Sequence, residues 1–111
     1  MGSAVREADD ADEVFAVTHY ALTYDVVDGF IEKRAAHRPA HLARVREAHA
    51  RGELMLAGAL GDPPDGALLV FRGETPEVAE RFARADPYVT GGLVTRWRVR
   101  PWAVVIGGDA P

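Results

Sequence analysis

Residues 54–71 read Leu-Met-Leu-Ala-Gly-Ala-Leu-Gly-Asp-Pro-Pro-Asp-Gly-Ala-Leu-Leu-Val-Phe. Two apolar runs, Leu54–Leu60 and Ala67–Phe71, flank the turn-forming stretch Gly61-Asp62-Pro63-Pro64-Asp65-Gly66. Apolar runs of strand length around a Gly/Pro/Asp cluster predict a β-hairpin with a longer loop. A helix is predicted on either side of it. Upstream, Pro39 fits a first helical turn, where its missing N–H is not needed. Leu42, Val45 and Ala48 follow at helical spacing, and Gly52 is a natural C-terminal stop. Downstream, Thr75-Pro76-Glu77 reads as a cap, an N1 proline and a first-turn acid. Val78, Ala79, Phe82 and Ala83 then form one buried stripe, and Asp86-Pro87 ends the helix, because a residue before proline avoids αR.

The outermost segments are again strands. Phe15–Tyr24 (FAVTHYALTY) is rich in β-branched and aromatic residues and lacks Gly and Pro, as expected of a central strand. Leu93–Val99 follows the Gly91-Gly92 turn as a fourth strand, and Trp102–Ile106 continues past Pro101 as a short edge strand. The polar connection Asp25–His37 holds a helical turn around Phe30–Arg34. The order β-α-β-β-α-β is the split βαβ of a ferredoxin-like α+β sandwich with an antiparallel sheet. Two helices cover one face of four strands. The other face needs a cover, and a second subunit is the usual supplier, so a homodimer is expected.

Composition bounds the function. The chain has 111 residues, 48% hydrophobic and 27% charged, the balance of one soluble globular domain. It has no cysteine, which excludes disulfides, cysteine nucleophiles and thiolate metal centres. The formal net charge is -4. All of it falls in residues 1–13, where five acids accompany one arginine; that segment is expected to be a disordered acidic tail, and residues 14–111 a neutral domain. A neutral domain does not suit nucleic acid. No apolar run approaches the roughly 20 residues of a membrane span, and no signal peptide opens the chain, so a cytoplasmic location is expected.

Four histidines are the natural acid/base candidates: His19, His37, His41 and His49. His41 lies near the start of the first helix and flanks the Leu42/Val45 stripe. His49 falls between those two in angle and reads as a packed histidine at the core edge. His37 is expected to be exposed, and His19 to be buried or at a dimer layer. Asp86 has two readings: it satisfies backbone amides in the Asp-Pro-Tyr turn, or it accepts Nδ1–H of His41 and orients that ring. Arg96, Arg98 and Arg100 alternate along the fourth strand and share a face, with Leu93, Thr95, Trp97 and Val99 on the other. They are either a solvated or dimer-edge face, or a cationic wall for a carboxylate or phenolate. No zincin pattern, phosphate-cradling glycine loop or nucleophile elbow is present.

Three segments together resemble the YciI-like family. They are Arg38-Pro39-Ala40-His41-Leu42-Ala43-Arg44, then His49-Ala50-Arg51-Gly52-Glu53-Leu54-Met55-Leu56-Ala57-Gly58, then Ala85-Asp86-Pro87-Tyr88-Val89 with Gly92-Leu93 and Val99-Arg100-Pro101-Trp102. The resemblance spans roughly residues 15–106. It implies a ferredoxin-like subunit of the dimeric α+β barrel superfamily, in which two sheets face each other across a dimer. It also implies a His-Asp active-site pair at His41 and Asp86, with Arg38 and Tyr88 flanking it and Gly58 at a small-residue position that ends the second strand. Some relatives degrade chlorinated hydroxy-aromatics by dehydrochlorination or related proton transfers. The expected function is therefore a small enzyme without cofactor or metal. His41 and Asp86 would be catalytic, and Arg38, Gly58, Tyr88 and Arg96 would bind a hydroxy-aromatic or enolisable substrate. The alternative is a non-catalytic dimeric module that binds a small ligand or acts in stress.

Overall fold

In the computed structural model, residues 18–107 are described; the acidic tail predicted for residues 1–13 lies outside them. The side chains of the central strand β1 (His19–Val26) divide between two faces. Tyr20, Leu22 and Tyr24 are buried on one face, and His19, Ala21, Thr23 and Asp25 belong to the other. β1 pairs antiparallel with β3 (Gly66–Arg72) on one side and β4 (Val94–Trp102) on the other. β2 (Leu54–Leu60) completes the sheet from the far edge of β3, giving the order β2-β3-β1-β4. The fold is α+β, with an antiparallel sheet, as expected from the order of elements along the sequence.

The inner face is set by register. Tyr20 lies opposite Phe71, Leu22 opposite Leu69 and Val99, and Tyr24 opposite Ala67 and Trp97. Two helices cover this face, α2 (Arg38–Ala50) and α3 (Glu77–Ala85), the first preceded by the one-turn α1 (Phe30–Lys33) and a 3₁₀ turn at Arg34–Ala36. Ala48 of α2 and Ala79, Phe82 and Ala83 of α3 join Leu22, Leu54, Leu69 and Phe71 in one core. Phe71 meets Phe82 at 5.2 Å between ring centroids. Each such large side chain stabilises the fold by roughly 1.5–3 kcal/mol on burial. Arg44 ties α2 to α3: its guanidinium lies over the Phe82 ring and donates to the Phe82 carbonyl at 3.4 Å.

Several boundaries differ from the sequence reading. β1 begins at His19 and continues to Val26; positions 15–17 lie outside the described residues. Asp25 is tolerated inside it because it points to the helix-free face, where it is exposed. Pro76 is the N-cap of α3 rather than its first residue, and the Glu77 amide donates to Thr75 Oγ1 at 3.3 Å. An additional one-turn helix, α4 (Pro87–Thr90), follows α3 at once. β4 runs unbroken through Pro101 to Trp102, which replaces the separate Trp102–Ile106 strand. Proline is admissible there because β4 is an edge, so a missing N–H on its free side breaks no ladder bond. A bulge between Asp25 and Val26 makes Thr95 the extra residue. Thr95 is therefore exposed, not aligned with Trp97 and Val99, and its hydroxyl donates to the Asp25 carbonyl at 3.2 Å.

The second face of the sheet carries no described helix. Register places Leu56, Leu60, Leu68 and Val70 there with Arg96, Arg98 and Arg100. Val70 and His19 are buried, but Leu56 is 69% exposed and Leu60 45%.

Candidate active site

A cavity of about 290 Å³ lies between α2 and the β2–β3 hairpin. Its floor comes from small residues. Ala57 and Ala59 of β2 lie opposite Leu69 and Ala67 on the helix-facing side, and their short side chains do not reach α2. Leu42 and Val45 of α2 form the apolar roof and are only half buried as a result. Arg34, Arg38 and His41 line one side, with Phe30 and Tyr88 behind.

His41 sits in the first turn of α2, after the Pro39 that starts the helix. Its Nδ1 is 2.8 Å from Asp86 Oδ1. Asp86 is fully buried at the junction of α3 and α4, where an extended ψ of 127° ends one helix and caps the next. The same Oδ1 accepts the Tyr88 backbone N–H at 3.1 Å, and Oδ2 accepts the Tyr24 hydroxyl at 2.6 Å. The two sequence readings of Asp86 therefore hold together: it caps the Asp-Pro-Tyr turn and it engages His41.

The proton positions follow from this network. Burial, and after it the negative charge of Asp86 and the hydrogen bond to it, push the Tyr24 phenol far above its usual range, against a smaller opposing pull from Arg44. Tyr24 thus stays protonated and donates. An ionised carboxylate only accepts, so the hydrogen between the two side chains sits on His41 Nδ1, and in the neutral ring the lone pair is on Nε2. Nε2 has no protein partner among the described residues, and the His41 side chain is 12% exposed beside the cavity. The ring is also held on its face: Tyr88 stacks on it at 3.8 Å and 8°. Phe30 packs against Tyr88 edge-on at 5.4 Å. The Tyr88 hydroxyl is buried and has no partner among the described residues.

The remaining predicted positions divide. Arg38 and Tyr88 line the cavity with His41. Gly58 lines it with backbone, and a Cβ added there would meet nothing within 4 Å. Arg96 is not with them. Strand alternation puts it on the helix-free face, in a polar recess with Thr23, Asp25 and Arg98. His49 is exposed rather than packed at the core edge, and its Nδ1–H donates to the Leu54 carbonyl at 2.8 Å. His19 is buried with Nδ1 3.1 Å from the Thr18 hydroxyl, and His37 is half buried beside Gly91. Two participants were missed from sequence, Tyr24 and Arg34. For Tyr24 a signal existed, because a tyrosine facing the core needs a partner for its hydroxyl. Among the described residues, no three His, Asp or Glu side chains group to hold a metal. No described helix is long and apolar enough to cross a membrane.

The family model of the YCII-related domain matches residues 15–103. The chain belongs to this family. Protein YciI of Escherichia coli is 37% identical over 84 residues, covering 68% of this chain and 86% of that protein. An uncharacterised protein of Haemophilus influenzae is 30% identical over 96 residues, covering 78% of this chain and 98% of its own length. Among solved structures, 5-chloro-2-hydroxyhydroquinone dehydrochlorinase (TftG) of Burkholderia phenoliruptrix, in complex with 2,5-dihydroxybenzoquinone, superposes with a TM-score of 0.64. It is 21% identical, and the match covers 76% of this chain and 92% of that one. A NIPSNAP-like domain protein of Burkholderia xenovorans superposes with a TM-score of 0.53 at 16% identity, covering 87% and 93%. At these identities the structures support the shared fold. The YCII-related stretch contains Tyr24, His41, Asp86 and Tyr88, the whole hydrogen-bonded and stacked group.

Proposed function

We propose that this YCII-related protein is an acid/base enzyme that needs no cofactor and acts on a small hydroxy-aromatic or enolisable substrate. The observation that carries the reading is His41, tied at Nδ1 by a fully buried carboxylate with Nε2 left on the cavity side. Nε2 takes a proton from the substrate, and Asp86 offsets the positive charge that forms on the ring. In a dehydrochlorination, the electron pair left by that proton forms the new double bond and chloride leaves. In an isomerisation, the imidazolium returns the proton at another carbon. TftG, a dehydrochlorinase of the same fold, supports the first chemistry.

We also propose that the protein works as a homodimer. The helix-free face, with Leu56 and Leu60 open to solvent, is suited to packing against its counterpart on a second copy.

Replacing a positioned general base typically lowers the rate 10²- to 10⁴-fold. The expected result is that His41→Asn lowers chloride release from chlorinated hydroxyhydroquinones, or proton exchange into an enolisable ring, by about that factor, in a protein that is still folded at the assay temperature. A His41→Asn protein that turns over at the wild-type rate overturns the mechanism. A ligand that binds in the cavity and is always recovered unchanged points instead to a binding module.

A further inference from the structure

We infer that the cavity takes an anion, and that Arg34 and Arg38 hold its negative group while His41 faces the proton to be moved. The inference rests on the proposed active site and adds the charge class of what enters it. Both guanidinium-bearing residues line the same cavity as His41, and among the described residues no Asp or Glu does. Neither arginine has a carboxylate partner among the described residues, although other arginines of this chain do: Arg51 pairs with Glu53, Arg81 with Glu77, Arg84 with Glu80. Asp86 does not supply the missing charge, because its oxygens are taken by Tyr24, Tyr88 N–H and His41.

Arg34 is also restrained. Its guanidinium lies 5.5 Å from the centre of the Phe30 ring, and that ring leads edge-on to Tyr88 and so to His41. This cation–π contact holds the fork without using any of its N–H donors, so they remain available. Arg38 stands one turn before His41 on α2 and presents a second fork. The rest of the lining is aromatic and aliphatic, which suits a ring. A cavity of about 290 Å³ is at the small end of ligand sites. The ligand class is thus a single-ring compound that carries a carboxylate or an ionised phenol.

Benzoate and its neutral counterpart benzamide test the charge, and a nitrophenolate distinguishes an ionised phenol from a carboxylate as the recognised group. Binding is read by calorimetry on the full chain. At least one of the two anions should bind about tenfold or more tighter than benzamide, the gain expected of charge-assisted hydrogen bonds at a partly exposed site. Arg34→Gln and Arg38→Gln should each remove most of that preference, weakening the anions more than benzamide. Arg34→Lys should restore only part of it, because the charge returns without the planar fork. Unaltered melting temperatures in these variants show that the fold is intact. Equal affinity for the anions and benzamide, an Arg34→Gln protein that binds anions as well as the wild type, or no binding of either anion overturns the inference. His41→Asn separates the two readings. Anion binding that survives with turnover lost supports both, and anion preference with undiminished turnover leaves the ligand class standing while the base assignment falls.

Discussion

On the helix-covered face of the sheet, Tyr20, Leu22 and Tyr24 of β1 are buried beneath α2 and α3. One residue out of phase, Thr23 and Asp25 look toward Arg96 and Arg98, in the same sheet as the exposed Leu56 and Leu60. Two aspartates show what the difference means. Asp86, under the helices, has no solvent contact and receives three hydrogen bonds. Asp25, on the other side, is exposed and is joined to Thr95 only through its backbone carbonyl. A buried carboxylate is tolerable only when its lone pairs are matched, so the covered face is where a rigid polar site can be made. The helix-free face shows the opposite imbalance: Leu56 and Leu60 have no cover among the described residues.

The contrast is open to a graded test. Asp86→Ala strands the Tyr24 hydroxyl and His41 together and uncaps α4, so a loss of about 3–5 kcal/mol is expected in denaturant unfolding. Asp25→Ala on the opposite face should stay within about 0.5 kcal/mol. Comparable losses would erase the distinction between the faces.

Tyr24→Phe removes one hydrogen bond to a charged group, a loss of about 1.5–3 kcal/mol near neutral pH. It also changes the alkaline limb. The folded chain holds the Tyr24 proton more tightly than the unfolded chain, whose phenol ionises near 10.0. Its contribution is therefore complete below pH 10. Above that it declines as the unfolded chain releases the proton first, at up to about 1.4 kcal/mol per pH unit. Stability curves of wild type and Tyr24→Phe should converge between about pH 10 and 12; parallel curves would mean that the phenol is not held as described.

The smallest effect within the chain is expected from Leu56→Asp, at a position already open to solvent, where the unfolding free energy of the isolated protomer should move by no more than about 0.5 kcal/mol. Its consequence is read in association. Light scattering should give twice the chain mass for the wild type and once for the variant, and a wild type that scatters as a single chain overturns the proposed dimer.

Much of the fold was legible because local chemistry and global order agree. Pro39 and Gly52 bracket α2, Asp86-Pro87 ends α3, and the Gly/Pro/Asp loop separates β2 from β3. What escaped was set by contacts rather than by period. α4 is one turn long, too short for any repeat to reveal. The bulge at Thr95 shifts a face without altering composition. Alternation showed that Arg96 shares a face with Arg98 and Arg100, but not that this face lies away from the cavity. The approach of His41 to Asp86 was beyond spacing altogether, because it depends on two helices laid on the same side of one sheet. The resemblance to the YciI-like family supplied it as an expectation, and the 2.8 Å contact gives it a geometry.

Asp86 has one further implication, for how sequences of this kind can drift. Its carboxylate starts α4 through the Tyr88 amide and partners Tyr24 in the core, independently of anything done in the cavity. The His41 side chain has no hydrogen bond other than the one to Asp86 among the described residues. A descendant released from chemical duty would therefore retain the aspartate for its architecture, and any replacement of the histidine would have to match the carboxylate oxygen it leaves. The aspartate at this place belongs to the scaffold, and on the proposed mechanism the histidine opposite it belongs to the chemistry.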